Sequence, residues 1–167
     1  MLAQGYLGLG DVPAAEAVLK EGEAVDAMFS WERPQIEQAK AALRKAKLGS
    51  AAAVVGKALT EGGIEAAEKA LQDLLQRRPD GPVFDEGDFN ALGYRLIEEN
   101  NLDSAVFVFE KNVELYPGSW NAWDSLGEVS VKAGRKERAI ESYRKSLELN
   151  PTSKNGRAML ERLEKGQ

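Results

Sequence analysis

The sequence predicts an all-α chain, an array of antiparallel helix pairs, and three observations carry the prediction. Apolar residues recur three and four apart between punctuation that falls at short, regular intervals, with 16 glycines and 6 prolines to supply it. From Asp88 onward the chain repeats itself at one fixed offset of 34 residues, the length of a helical hairpin. No wholly apolar run is longer than the five residues from Ala51 to Val55, so neither a membrane span nor a signal peptide is expected in this chain.

The elements follow in order. A short helix ends near Leu9, and Met1 leads straight into Leu2, Tyr6 and Leu7 with no capping residue, so this end reads as cut from something longer. Asp11 caps the next helix, with Pro13 in its first turn where a missing N–H costs nothing, and that helix runs to about Asp26. Met28 to Trp31 is apolar and aromatic. Pro34 opens a helix to about Lys47 with Ile36, Ala39, Leu43 and Ala46 on one face, closed by Gly49. Ser50 caps the following helix, which ends before Gly62 and Gly63. Residues 64–78 carry Ile64, Ala67, Leu71, Leu74 and Leu75 and stop at Pro79. Asp80 to Asp85 reads DGPVFD, a loop between an irregular half and a regular one.

Within the regular half, Leu92, Gly93, Ala105, Lys111, Glu114, Leu115, Pro117, Ser119 and Asn121 recur as Leu126, Gly127, Ala139, Lys145, Glu148, Leu149, Pro151, Ser153 and Asn155. Phe89 with Trp123, Ile97 with Val131 and Phe109 with Tyr143 are like-for-like pairs in the same register. Gly93, Ala105, Gly127 and Ala139 are small where two helices of a hairpin must approach, and Phe109 and Tyr143 are expected to fill the gap to the next hairpin.

This pattern resembles the tetratricopeptide repeat, whose signature is an aromatic, then Leu-Gly and Tyr on a first helix, and Ala, an aromatic and a closing Pro on or after a second. Both copies depart from it at the first-helix tyrosine, with Leu96 and Ser130 there, and Ser130 should loosen local packing. The resemblance implies a right-handed superhelical array, a tetratricopeptide-like α-solenoid. Residues 1–49 then form a truncated, degenerate repeat region and 50–167 carry the repeats. Of these, 48–81 is divergent, with Val55 and Gly56 where Leu-Gly is expected, 86–119 and 120–153 are regular, and 154–167 is a closing helix. From about Ser50 the sequence also resembles the tetratricopeptide tail behind the catalytic domains of bacterial serine hydrolases of the β-lactamase-like and α/β-hydrolase kinds.

Composition narrows function by exclusion. Histidine and cysteine are both absent, which removes Ser-His-Asp and Cys-His nucleophile systems, the common zinc sites and any disulfide framework. The net charge of −5 divides into −3 for residues 1–85 and −2 for residues 86–167. Neither half offers the clustered cationic face that counterion release at DNA or RNA requires. Gly56-Lys57 lacks the rest of a phosphate loop, Gly5, Gly8 and Gly10 follow no strand, and Glu98-Glu99 and Asp85-Glu86 read as solvated surface. No catalytic residue, metal or cofactor is expected.

First helices of stacked hairpins line the concave surface in the architecture that the resemblance implies. With Phe89, Leu92, Gly93 and Leu96 inward, Asn90, Tyr94, Ile97 and Glu98 face the groove, followed by Asn121, Asp124, Glu128, Val131 and Lys132. Asn90, Tyr94, Asp124 and Glu128 form the candidate peptide site, with Arg162 reaching its rim and Tyr94 as the anchor. The expected partner is a protein or peptide pairing Lys or Arg with a hydrophobe. The rival reading is an accessory tail that packs on a hydrolase domain or self-associates through Phe29 and Trp31.

Overall fold

The computed structural model describes residues 7–26 and 33–165. Its described residues are all-α, as the periodicity predicts. The helices are α1 (Val12–Asp26), α2 (Arg33–Leu48), α3 (Ala51–Gln76), α4 (Glu86–Glu98), α5 (Leu102–Leu115), α6 (Trp120–Lys132), α7 (Lys136–Leu149) and α8 (Lys154–Glu164). Among these residues no helix is long and apolar enough to cross a membrane. Met28, Phe29 and Trp31, and with them the self-association surface expected from the sequence, lie outside the described residues. The chain divides into two compact units, Met1–Ala51 with Leu74–Val83, and Ala52–Asp73 with Phe84–Gln167.

In the first unit α1 and α2 pair. The Asp11 carboxylate accepts from the Ala14 amide at 3.1 Å and starts α1, and Gly49, at φ 77°, ends α2. Leu19 and Ala39 are buried between the helices with Val18 and Leu43 against them, and Lys47 pairs with Glu16 across the hairpin. Ala46, expected on the buried face, is exposed near the end of α2. A short parallel bridge between Ser50 and Val83 takes up the Ala51 amide and the Gly49 carbonyl, each at 2.9 Å.

The second unit begins with a broken helix. At Gly63 the backbone turns to φ 70° and ψ −163°, which divides α3 into two arms where the sequence placed a helix end. The Cβ that Gly56 lacks would stand 3.0 Å from Leu92 Cδ1, so this glycine admits α4 beside the first arm. On the second arm Ala67 and Leu71 are buried, but Ile64 beside the break is exposed. Lys111 of α5 reaches back to Glu68 at 3.0 Å.

From α4 onward each hairpin is closed by an aromatic ring lying over a glycine. A Cβ on Gly93 would stand 2.5 Å from the Phe109 ring, and one on Gly127 would stand 3.0 Å from the Tyr143 ring. The two rings therefore cover the glycine of their own hairpin, where the sequence reading sent them to the next. Glycine is needed because a ring can stack on bare backbone at a distance that a methyl group forbids.

The turns repeat as closely as the cores. The Asn101 amide donates to the Leu96 carbonyl at 2.8 Å, and 34 residues on the Arg135 amide donates to Ser130 at 2.8 Å, a Schellman closure in both copies. Its left-handed position is Asn100 at φ 57° in one and Gly134 at φ 71° in the other. Side-chain pins also recur: Asn112 Nδ2 donates to the Glu86 carbonyl at 3.3 Å and Ser146 Oγ to the Trp120 carbonyl at 3.0 Å. Trp123 Nε1 donates to the carbonyl of Pro117, the proline that closes the preceding copy, at 2.9 Å. Ser130, in the place of the motif's tyrosine, is fully buried and its hydroxyl has no partner. The amphipathic helix α8 closes the unit, setting Met159, Leu160 and Leu163 against Val131, Ala139, Ile140 and Tyr143.

Two predictions follow from these contacts. Gly93→Ala should destabilise by about 1 to 3 kcal/mol, because Phe109 must move, with Gly127→Ala milder since the Tyr143 ring needs to give far less. Equal thermal melts for the two variants would contradict this packing. At Asn100, stability should rank Gly at or above Asn and Asn above Ala, with Asn100→Ala costing about 1 kcal/mol for its left-handed backbone; urea midpoints that place Ala level with Asn would refute the assignment.

Candidate functional site

The candidate side chains come from the same turns of α4 and α6, which lie 34 residues apart in sequence and side by side in the unit. Phe89, Leu92, Gly93 and Leu96 are buried under α4, and Ala122, Ser125, Leu126, Gly127, Val129 and Ser130 under α6, which fixes the rotation of both helices. Asp85 and Ser119 cap them, their side chains accepting from the Asp88 and Ala122 amides. Glu86 ties the two N-termini together: its Oε1 accepts from Ser119 Oγ at 2.7 Å and from Asn121 Nδ2 at 3.3 Å.

Tyr94 and Glu128 meet. The phenol donates to Glu128 Oε2 at 2.9 Å and lies 3.3 Å from Ser125 Oγ, while its ring packs edge-on against Phe109 with centroids 5.3 Å apart. Tyr94 is therefore a half-buried strut between two helices. Burial pushes its phenol above the ordinary tyrosine value, and the negative charge of Glu128 adds to this, against an opposing hydrogen bond with Ser125. Glu128 also faces Lys132 at 3.8 Å, an exposed pair on its own helix.

Asp124 turns inward. One of its oxygens is buried without a partner, and the carboxylate is within hydrogen-bonding reach of Ser146. Burial first, and the charge of Glu128 second, hold its carboxyl above the ordinary aspartate value. Tyr143 is raised in the same direction by burial, with Asp124, Glu128 and Tyr94 adding to it, so these groups form one electrostatic cluster. Asn90, one turn before Tyr94, is half-buried and its side-chain oxygen has no partner. Arg162 is not brought into this cluster: it is exposed on α8 and its guanidinium rests 3.8 Å from Met159 Sδ of its own helix.

Sequence reasoning missed Ser125, Ser146, Tyr143 and Glu86 as members of this network. The 34-residue register held a usable signal, since Tyr94 and Glu128 are one repeat apart and so occupy facing positions. A separate surface cleft of about 640 Å³ lies along α7 beside Trp123 and Ile140, rimmed by Glu137, Glu141, Arg144 and Lys145, and shares no residue with the five candidates. Among the described residues no group of three or more acidic side chains stands ready to hold a metal ion. The cluster can orient hydrogen bonds and present negative charge.

In the comparisons with known proteins, residues 120–153 match the family model of the tetratricopeptide repeat. The chain is similar to a tetratricopeptide repeat domain-containing protein of Arabidopsis thaliana, chloroplastic PYG7, at 34% identity over 93 residues, 55% of this chain and 31% of that protein. It is 32% identical over 162 residues to the protein O-mannosyl-transferase TMTC1 of Mus musculus, covering 95% of this chain and 16% of that protein. Similarity to the peroxisomal targeting signal receptor of Komagataella phaffii is 31% over 94 residues, 56% of this chain and 15% of the receptor. The chain thus spans less than a third of the length of each of these relatives.

The Tyr94–Glu128 contact generates a prediction of its own. A double-mutant cycle of Tyr94→Phe and Glu128→Gln should give a coupling of about 1 kcal/mol, the worth of a partly buried hydrogen bond to a carboxylate. Additive chemical-denaturation energies would mean that the strut is absent in solution.

Proposed function

The chain carries tetratricopeptide repeats, and we propose that it is a non-catalytic scaffold that binds a protein or peptide on the face built by α4 and α6. The observation that carries this reading is the Tyr94–Glu128 strut, which holds an aromatic ring and a carboxylate in one fixed relation on neighbouring helices. Groups fixed before binding lose little entropy on meeting a ligand, so a modest surface of this kind can still hold a peptide. Asn90 and Asp124 stand beside the strut on the same two helices, and the charge of this face is negative. The ligand favoured is an extended or helical peptide bearing Lys or Arg next to a hydrophobe, the cation toward Glu128 and the apolar residue on the Tyr94 ring. Arg162, expected at the rim, stays exposed on α8 beside Met159 and takes no part in this reading. One relative is named as a receptor for a peroxisomal targeting signal, which supports a protein-binding reading.

Fluorescence polarisation with a labelled Lys/Arg-plus-hydrophobe peptide library tests the reading. Binding should fall in the micromolar class, about 8 kcal/mol, and weaken with added salt, with Glu128→Lys and with Tyr94→Ala. Selection of acidic C-termini, or binding indifferent to both substitutions, would overturn it.

A further inference from the structure

Beneath the closing helix the hydrogen-bond accounting is short by one proton. Asp124 Oδ1 is buried without a donor and faces the first turn of α8, where the Cβ that Gly156 lacks would stand 3.2 Å away. The carboxylate is within reach of the Ser146 hydroxyl, which also stands 3.0 Å from the Trp120 carbonyl and donates to it. A serine has one proton to give, so an ionised Asp124 and the Trp120 carbonyl compete for it and one buried acceptor goes without. A protonated Asp124 ends the competition, since its own O–H donates to Ser146 Oγ while Ser146 donates to Trp120.

We propose that docking of α8 onto α6 and α7 is proton-linked through Asp124, the docked helix holding one proton that the undocked helix releases to water. Burial and the like charge of Glu128 favour that direction, and the hydrogen bond from Ser146 and the N-terminal end of α8 oppose it. From its own helix α6 comes Glu128, a like charge only partly offset by Lys132 at 3.8 Å. From α4 comes Tyr94, already committed to Glu128, and from α7 come Tyr143 and Ser146; α8 brings a first turn capped by Ser153. Apolar contacts of three α8 residues and one exposed ion pair, Arg144 with Glu164 at 2.6 Å, hold the helix down, and Gly156 weakens its first turn. Undocking returns Asp124 to water and to an ordinary carboxylate value. Because the docked value is the higher one, docking strengthens as pH falls from neutral toward it.

Hydrogen exchange of the full chain between about pH 7 and about pH 5 tests this, with α8 amide protection read against α5 as an internal standard. One exchanged proton limits the effect to about tenfold in the α8 opening constant per pH unit. We expect α8 opening to become rarer with acid in the unsubstituted chain. In Asp124→Asn, whose amide can donate to Ser146, it should be rare and flat with pH, and in Ser146→Ala the dependence should move to higher pH. An Asp124→Asn variant that keeps the parental slope, or a parent whose α8 opens more readily in acid, overturns the proposal. Should either variant fold poorly, the carboxyl carbon of Asp124 can be titrated by NMR in the unsubstituted chain, and a midpoint at or below the ordinary aspartate value would overturn it equally.

Discussion

The second unit depends on the stacking of one ring on one glycine in each hairpin. Gly93 under Phe109 and Gly127 under Tyr143 bring the paired helices close enough for everything else to reach. With the rings in place, the first helix of each pair turns one face inward and presents the opposite one, and the side chains of α4 and α6 come into register. The Phe109 ring serves both roles, since its underside covers Gly93 and its edge receives Tyr94. A candidate site residue is thus held by the same side chain that closes the core.

That coupling explains why the candidate site is a network. Tyr94 cannot be moved without disturbing Glu128, and Asp124 reaches Ser146 and the first turn of α8. Polar groups at this depth are favourable only when their donors and acceptors are matched. Where the matching is incomplete, as at Asp124, the surroundings oppose its ionisation.

The regular half was legible in the sequence because periodic residues meet periodic partners. Gly93 and Gly127, and the candidate positions Tyr94 and Glu128, follow from a 34-residue register with no knowledge of coordinates, whereas the left-handed turn that Asn100 shares with Gly134 emerged only from the backbone. What the register did not reveal was direction. It marks Asp124 as groove-facing, yet the absence of a Cβ at Gly156 lets the carboxylate turn under α8. Rotamer choice depends on neighbours that a single sequence does not align. The first unit was harder to read for a different reason: Ala46 continues the apolar spacing of α2 but lies near its end and is exposed. Ile64 likewise keeps the period of α3 while sitting beside the break at Gly63.

The recurring links from Asn112 to Glu86 and from Ser146 to Trp120 have a mechanical consequence. Apolar helix faces interlock through shape, as the rings do over Gly93 and Gly127, without fixing direction atom by atom. A hydrogen bond is directional and fails within a fraction of an ångström of misalignment. Each link pins the start of one first helix to the helix that follows it, and so blocks shear along the helix axes while leaving rotation about the pin free. Sliding along the helix axes would have to break these links, whereas tilting of a whole helix about its pin would keep them.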